Sequence, residues 1–463
     1  LAHFLTFHHK RLAVALASGV AGLALMAGSA QAGGFASRLG STDATAQAWA
    51  GSAAAGLGIG GIGVNPAVVT SLDGLNAETG GAGVFPDASL SRTTFNATTA
   101  VPGLAGAGIL GAVNGVAGAA PQQTGNFATS VLTAGSYFNV QLNKQWYFGL
   151  SVTAPFGLGV NYNGNAVFAA DRTRARITTV NVQPVLGVKL NDQWSVGFGF
   201  QVQWINLTFE QRVSTLAPQL GTGQVTAQDV GIGFTAGVTY EPIKGTQLGI
   251  GYRSSIDHSA DGRQTFSAAV PGLPGSPGRF PITIDQSTPE LVTASIRQTI
   301  NDKLAVSLTG EWQNWRRVKT LIVGGSPTGS QLALNFNDGW YVALGAEYKL
   351  DPKWTVRAGV GYDFSPVSDA VRTLSVPDSD RLILSGGLQY RWSPQITLSA
   401  AYTAELFQRA PINGTIRSAI PNLGAFALDY TTRTDVTAHL VSAGLTYRFD
   451  PPPAVIEAPL VTK

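Results

Sequence analysis

Residues able to do covalent chemistry are scarce in this 463-residue chain. It contains no Cys, which removes thiolate catalysis and disulfides. Beyond residue 32 the only histidines are His258 and His439; no Gly-x-Ser-x-Gly elbow and no cluster with metal-ligand spacing occurs. Ser442 is near His439 in sequence but on the opposite face of an alternating segment, so the two do not form a nucleophile–base pair. No P-loop is present to couple ATP. An enzyme is not expected, nor a cofactor or a metal. What remains is binding chemistry and backbone control. Alternation places Arg253, Arg297, Glu311, Glu347, Arg357, Asp363 and Arg391, with Lys189, Gln201 and Gln203, on one face of their segments. Arg253, Arg297 and Arg357 are each able to meet a carboxylate. In Asn65-Pro66-Ala67, Pro66 fixes φ and Asn65 can hold a turn by bonding nearby backbone. In Pro155-Phe156-Gly157, a missing N–H and a permissive glycine mark a place where a sheet would break.

The elements that position these residues start with an address. Lys10-Arg11, an apolar run over 12–27 and Ala30-Gln31-Ala32 form a secretory signal peptide over 1–32. Residues 33–74 are rich in Gly, Ala and Ser and hold no helical or strand period for long. Such a segment has too few large apolar side chains for a core of its own and is expected to be a hatch, or plug, held by its surroundings.

From 75 to 449 the chain alternates polar and apolar residues with period two. Only 12% of residues are charged, yet nothing after residue 32 approaches the ~18 consecutive apolar residues of a spanning helix. Short turns such as Asn143-Lys144-Gln145, Asn191-Asp192-Gln193, Asn301-Asp302-Lys303 and Asp351-Pro352-Lys353 precede Trp or Leu. Longer connections fall near 93–126, 163–175, 213–227, 262–284, 320–333, 366–380 and 408–436. Loop lengths segregated by side predict an all-β fold, a transmembrane antiparallel β-barrel of about fourteen strands with periplasmic turns and outer loops. Parity puts Val306, Leu308 and Trp312 towards lipid and the charged set towards the lumen, because a charge on lipid costs ~2–4 kcal/mol at the midplane. Trp146, Trp194, Trp354 and Trp392 beside the turns form an aromatic girdle. The tail 450–463 is Pro-rich and expected to lie in the periplasm. Lys10 and Arg11 aside, the chain is nearly charge-balanced, which argues against a nucleic-acid partner.

The chain resembles the FadL-type family of outer-membrane transporters for long-chain fatty acids and aromatic hydrocarbons. The resemblance rests on Gly33-Gly34-Phe35, Asn65-Pro66-Ala67, Thr153-Ala154-Pro155-Phe156-Gly157-Leu158 and Pro377-Asp378-Ser379-Asp380-Arg381. It implies uptake of hydrophobic small molecules, most of all long-chain fatty acids, through a hatch that shifts on binding and a side window at a kinked third strand. Aromatic hydrocarbons by the same route, or a general diffusion porin, are the alternatives. It also implies a Gram-negative outer-membrane location, a monomer, and contact with outer-membrane lipid and lipopolysaccharide. Asn65, Pro66 and Ala67 would belong to the gate, Pro155, Phe156 and Gly157 to the window, and Phe35, with one of Arg253, Arg297 or Arg357, to the ligand pocket. The apolar run over 101–120 departs from the family pattern and suggests an exposed binding or membrane-contacting loop.

Overall fold

A computed structural model of the chain describes residues 35–38, 40–99, 123–162, 168, 171–213, 221–270, 273–329, 331–420 and 424–449. The expected signal peptide, Gly33-Gly34, the apolar run over 101–120 and the tail lie outside these residues. The wall strands are β1 (Leu75–Thr99), β2 (Val131–Gln141), β3 (Trp146–Thr153 and Gly157–Asn161), β4 (Arg174–Lys189) and β5 (Trp194–Arg212). They continue as β6 (Thr222–Tyr240), β7 (Thr246–Arg253 and Asp257–Phe266), β8 (Gly278–Ser287 and Leu291–Thr299) and β9 (Leu304–Gln313 and Thr320–Gly324). The last are β10 (Gln331–Ala333 and Gly339–Lys349), β11 (Trp354–Phe364), β12 (Arg381–Arg391), β13 (Ile396–Phe407 and Pro411–Ile420) and β14 (Gly424–Arg448). Each strand pairs antiparallel with the next, and β14 pairs back onto β1 from Asn76↔Arg448 to Thr99↔Phe426. The sheet is therefore a closed barrel of fourteen strands, as expected, its last strand paired with its first.

One device recurs at the short-turn end. Asn143 Oδ1 accepts from the amides of Gln145 and Trp146, both at 2.9 Å. Asn191, Asn301 and Asp351 repeat the pattern at 2.7–2.9 Å. A short side-chain acceptor satisfies two turn amides and delivers the Trp or Leu that follows to the first strand position. Trp194 then stacks on Tyr240 at 4.0 Å, and Trp354 meets Tyr390 at 4.4 Å with the rings tilted. Above this girdle the outer face is an apolar belt that includes Phe200, Ile232, Ile250, Leu308, Leu344 and Val441, all exposed. Glu347, Arg357 and Asp363, on the other parity, are buried inside. A hydrocarbon surround is the only setting in which that belt is not a cost.

At the opposite end the strands run further than the sequence suggests. The connections expected near 213–227, 262–284, 320–333 and 408–436 are in large part paired strand, and β1 continues to Thr99. There the outer face stands in water and the apolar set changes sides: Val225, Ile282, Ile284, Leu321, Val323 and Ile412 are buried on the inner face, and the outward apolar belt ends while backbone pairing continues. Cross-strand polar contacts such as Thr415 to Asp429, at 2.6 Å, take its place. The connection between β11 and β12 is not strand. It folds inward, burying Leu374 and Val376, and Arg372 ties it by donating to the carbonyls of Val367, Asp378 and Pro411 at 2.7–3.0 Å.

Residues 40–72 lie against the inner face of the wall. They form one helical turn, Thr42–Thr45, and two 3₁₀ turns, Gly58–Gly63 and Pro66–Ser71. Small residues on both sides allow backbone to lie on backbone. A Cβ on Gly249 of β7 would come 1.9 Å from the Ala53 oxygen, and one on Gly237 of β6 would come 2.0 Å from Asn65 Oδ1. Gly249→Val is expected to lift the segment from the wall and destabilise the protein by about 1–3 kcal/mol, read as a lower heat-unfolding temperature. An unchanged temperature would show that the segment's seat on the wall adds nothing to stability.

Candidate functional site

The site is built around a flaw in β3. Its two pieces stop pairing with β4 at Thr153↔Asn181 and resume at Gly157↔Thr178. Four steps along β3 thus oppose three along β4, so one residue is extra. Pro155, without an N–H, sits in that bulge. On the other side, β2 pairs with β3 only as far as Ser136↔Val152, although β2 itself continues to Val131. A gap is left between β2 and β3 above Val152.

The chain's own N-terminal segment fills it. Ala36 bridges Phe156 in antiparallel fashion, the Ser37 amide donates to the Pro155 oxygen, and the Gly157 amide donates to the Phe35 oxygen, both at 2.7 Å. The Phe35 ring is buried 4.6 Å from the Trp315 centroid and 6.1 Å from that of Phe156. These rings belong to an apolar chamber in the outer half of the barrel, with Leu158, Ile177, Ile205 and Leu207 on its walls. Two cavities flank it. One, of about 80 Å³, touches Ser37, Arg38, Val64, Pro155, Arg253 and Tyr341. The other, of about 340 Å³, lies nearer the outer rim, among Arg172, Phe209, Phe266, Val323 and Leu332. At that rim, before β4, burial pushes the Asp171 carboxyl up, against the hydrogen bond it accepts from Tyr430.

Three side chains of the N-terminal segment, Arg38, Asp43 and Asn65, are among those that tie it to the wall. Arg38 reaches Asp363 at 2.8 Å and Glu311 at 2.9 Å, with its guanidinium 3.9 Å above the Tyr341 ring. Asp43 accepts from Arg357 at 2.9 Å and from Gln389 at 2.7 Å. Asn65 caps the 3₁₀ turn opened by Pro66, accepting from the Ala67 amide at 3.0 Å. Its amide nitrogen donates to Ala53 at 2.6 Å and to Val238 of β6 at 3.0 Å. The asparagine thus joins two turns of the segment to the wall, and Pro66 is at the first helical position, where no N–H is needed.

The three arginines named from sequence differ sharply. Arg297 pairs with Glu347 at 3.1 Å, and Arg357 pairs with both Asp43 and Glu347. Arg253 is buried and has no carboxylate within ion-pair distance among the described residues. It donates to the Gly63 oxygen at 3.1 Å and Gln183 at 3.3 Å, while its Nη1 has no partner. Sequence reasoning missed Trp315 and Arg38. Trp315 opens a 3₁₀ turn, Trp315–Arg317, between the two pieces of β9, where the strand period that assigns side chains to the lumen is interrupted. Arg38 and Asp43 are the only charges over 33–72, which was a signal that each needs a partner in the wall.

Fold and site together define a β-barrel that crosses a membrane with a filled bore and a flawed wall. The chain belongs to the outer membrane protein transport protein (OMPP1/FadL/TodX) family, whose model it matches over residues 23–449. It is an outer-membrane transport protein; the family is one of transporters, not of enzymes. A long-chain fatty acid transport protein of Escherichia coli is 24% identical over 432 residues, covering 84% of this chain and 92% of that protein. The fold is similar to that of a Pseudomonas aeruginosa FadL homologue, with a TM-score of 0.76 and 22% identity over 90% of this chain and all of that one. The Ralstonia pickettii toluene transporter TbuX gives a TM-score of 0.61 at 18% identity, covering 89% of this chain and 98% of that one.

Proposed function

We propose that this chain takes up hydrophobic compounds, long-chain fatty acids foremost, and releases them sideways through the gap between β2 and β3. One observation supports the reading: the wall is broken beside Pro155, and what lies against the break is the segment Phe35–Ser37, not a neighbouring strand. Cargo collects in the outer apolar chamber, where each buried CH₂ contributes roughly 0.8 kcal/mol. The cavity beside Pro155, at about 80 Å³, is too small for a long chain, so Phe35–Ser37 must withdraw before the gap opens. Asn65, Pro66 and Ala67 form the stiff joint about which the hatch shifts. Arg253 meets the carboxylate, since Arg297 and Arg357 are already neutralised. The small size and apolar lining of the cavity favour a second reading, in which an aromatic hydrocarbon passes with less movement.

Labelled oleate and toluene, offered to cells lacking their own transporter, separate the two. Arg253→Met should cut oleate uptake about tenfold, as loss of a charge-assisted hydrogen bond implies, and leave toluene unaffected. Toluene uptake without oleate uptake would favour the second reading. Passage of small sugars alone would make the protein a porin and sink both.

A further inference from the structure

Beside the gap, and apart from Arg253, a band of amide side chains crosses the inner wall. Asn181 of β4 is the residue that pairs with Thr153 at the edge of the break, and across β4 and β5 it is opposite Gln203. Gln201 lies two residues below on β5. All three are fully buried. Both polar atoms of Asn181, Oε1 of Gln201 and Nε2 of Gln203 have no hydrogen-bond partner among the described residues. Their remaining atoms are fixed: Gln201 Nε2 donates to the Phe234 oxygen at 3.0 Å, and Gln203 Oε1 meets His258 at 3.2 Å. The His258 contact spans β6, where Gly231 leaves room; a Cβ there would come 2.8 Å from the imidazole.

Buried amide atoms left unpaired are costly and call for a partner that this chain does not supply. The four free atoms are two donors, Asn181 Nδ2 and Gln203 Nε2, and two acceptors, Asn181 Oδ1 and Gln201 Oε1. A carboxylate only accepts, so it would leave the acceptors unmet. A hydrocarbon meets neither. An un-ionised carboxylic acid has one O–H and one carbonyl and serves both kinds. Resting on the transport reading above, we propose that Asn181, Gln201 and Gln203 form a head-group site for a fatty acid in its un-ionised form, next to the gap. The location fits that chemistry, because an acid leaving sideways enters hydrocarbon, where the ionised head would be strongly disfavoured.

The test compares uptake of hexadecanoic acid, hexadecane and hexadecane sulfonate, which stays ionised, in cells lacking their own transporter. Asn181→Leu, Gln201→Leu and Gln203→Leu together should cut uptake of the acid about tenfold and leave hexadecane unchanged. The wild-type protein should pass the sulfonate poorly. Heat-modifiable migration of the barrel reports that the triple variant is folded, and Gln203→Asn, which keeps an amide, should retain acid uptake. Undiminished acid uptake in the folded triple variant would reduce the amides to holders of structural water and overturn the proposal. Sulfonate passing as fast as the acid would overturn it too. A wild-type protein that admits neither acid nor hexadecane overturns the transport reading, and this site with it.

Discussion

Removing Ala154 and replacing Pro155 with Thr should seal the wall and lower uptake of hydrophobic cargo at least about tenfold. The register defines the design. Thr153 is opposite Asn181 and Gly157 is opposite Thr178, so one residue is in excess, and its deletion lets β3 run unbroken along β4. Restoring an N–H at position 155 removes the other obstacle, because proline cannot donate to a ladder. A continuous β3 can then pair with the part of β2 between Val131 and Gly135 that lacks a β3 partner. Each restored backbone pair stabilises the barrel, since unpaired groups facing lipid are costly. The variant is therefore expected to unfold at a higher temperature while transporting less. Initial capture of ligand in the outer chamber should persist, as Leu158, Ile205 and Leu207 are untouched. Undiminished uptake by such a barrel would mean that cargo does not leave beside Pro155.

The second large effect is expected at Arg357. Its guanidinium holds Asp43 at 2.9 Å and Glu347 at 2.8 Å, with the side chain only 6% exposed. Arg357→Met leaves Asp43 buried with only the Gln389 amide for company, while Glu347 keeps Arg297. Removing one partner of such a pair costs about 3–5 kcal/mol, because the remaining charge is stranded away from water. The least disruptive relief is for Asp43 to leave, carrying the hatch from the wall. Single-channel conductance in planar bilayers should rise, and the heat-unfolding temperature should fall. Asp43→Asn added to Arg357→Met removes the stranded charge and should reverse most of both changes. A closed channel in Arg357→Met, with no recovery in the double variant, would show that the pair does not hold the hatch.

Under the proposed function, the two variants probe different parts of one gate. The first acts on the frame and the second on the latch, so their effects should have opposite sign on leakage. Arg38 links them, since it lies next to the segment at the gap and pairs with Glu311 and Asp363 across the lumen. Asp363 in turn is held by Arg381. Movement of Phe35–Ser37 therefore cannot be independent of the ion pairs on β9, β11 and β12.

Much of this was legible without coordinates. The period-two alternation gave the strands, the Asn and Asp turns set the register of each hairpin, and parity separated Leu308 and Leu344 from Glu347 and Arg357. These are local properties: side-chain direction follows from backbone pleat, and turn chemistry acts over four residues. The outer ends of the strands were misjudged because the two faces exchange character there: Ile282 and Val323 are buried inside while Asp285 and Thr415 face out, so a period read for an apolar outside loses its phase. Pro155 marked a break from sequence alone, since proline's missing donor is a property of the residue itself.

What fills that break was decided only by the tertiary structure. Phe35 and Phe156 are 121 positions apart in the numbering, and nothing in either neighbourhood says that they meet. The choice among Arg253, Arg297 and Arg357 was likewise closed to sequence. All three have the same charge and the same inward parity, and only the positions of Asp43 and Glu347 neutralise two of them. Barrel closure brings these groups together, and the energy of a buried charge depends on its neighbours in space, not on its place in the chain.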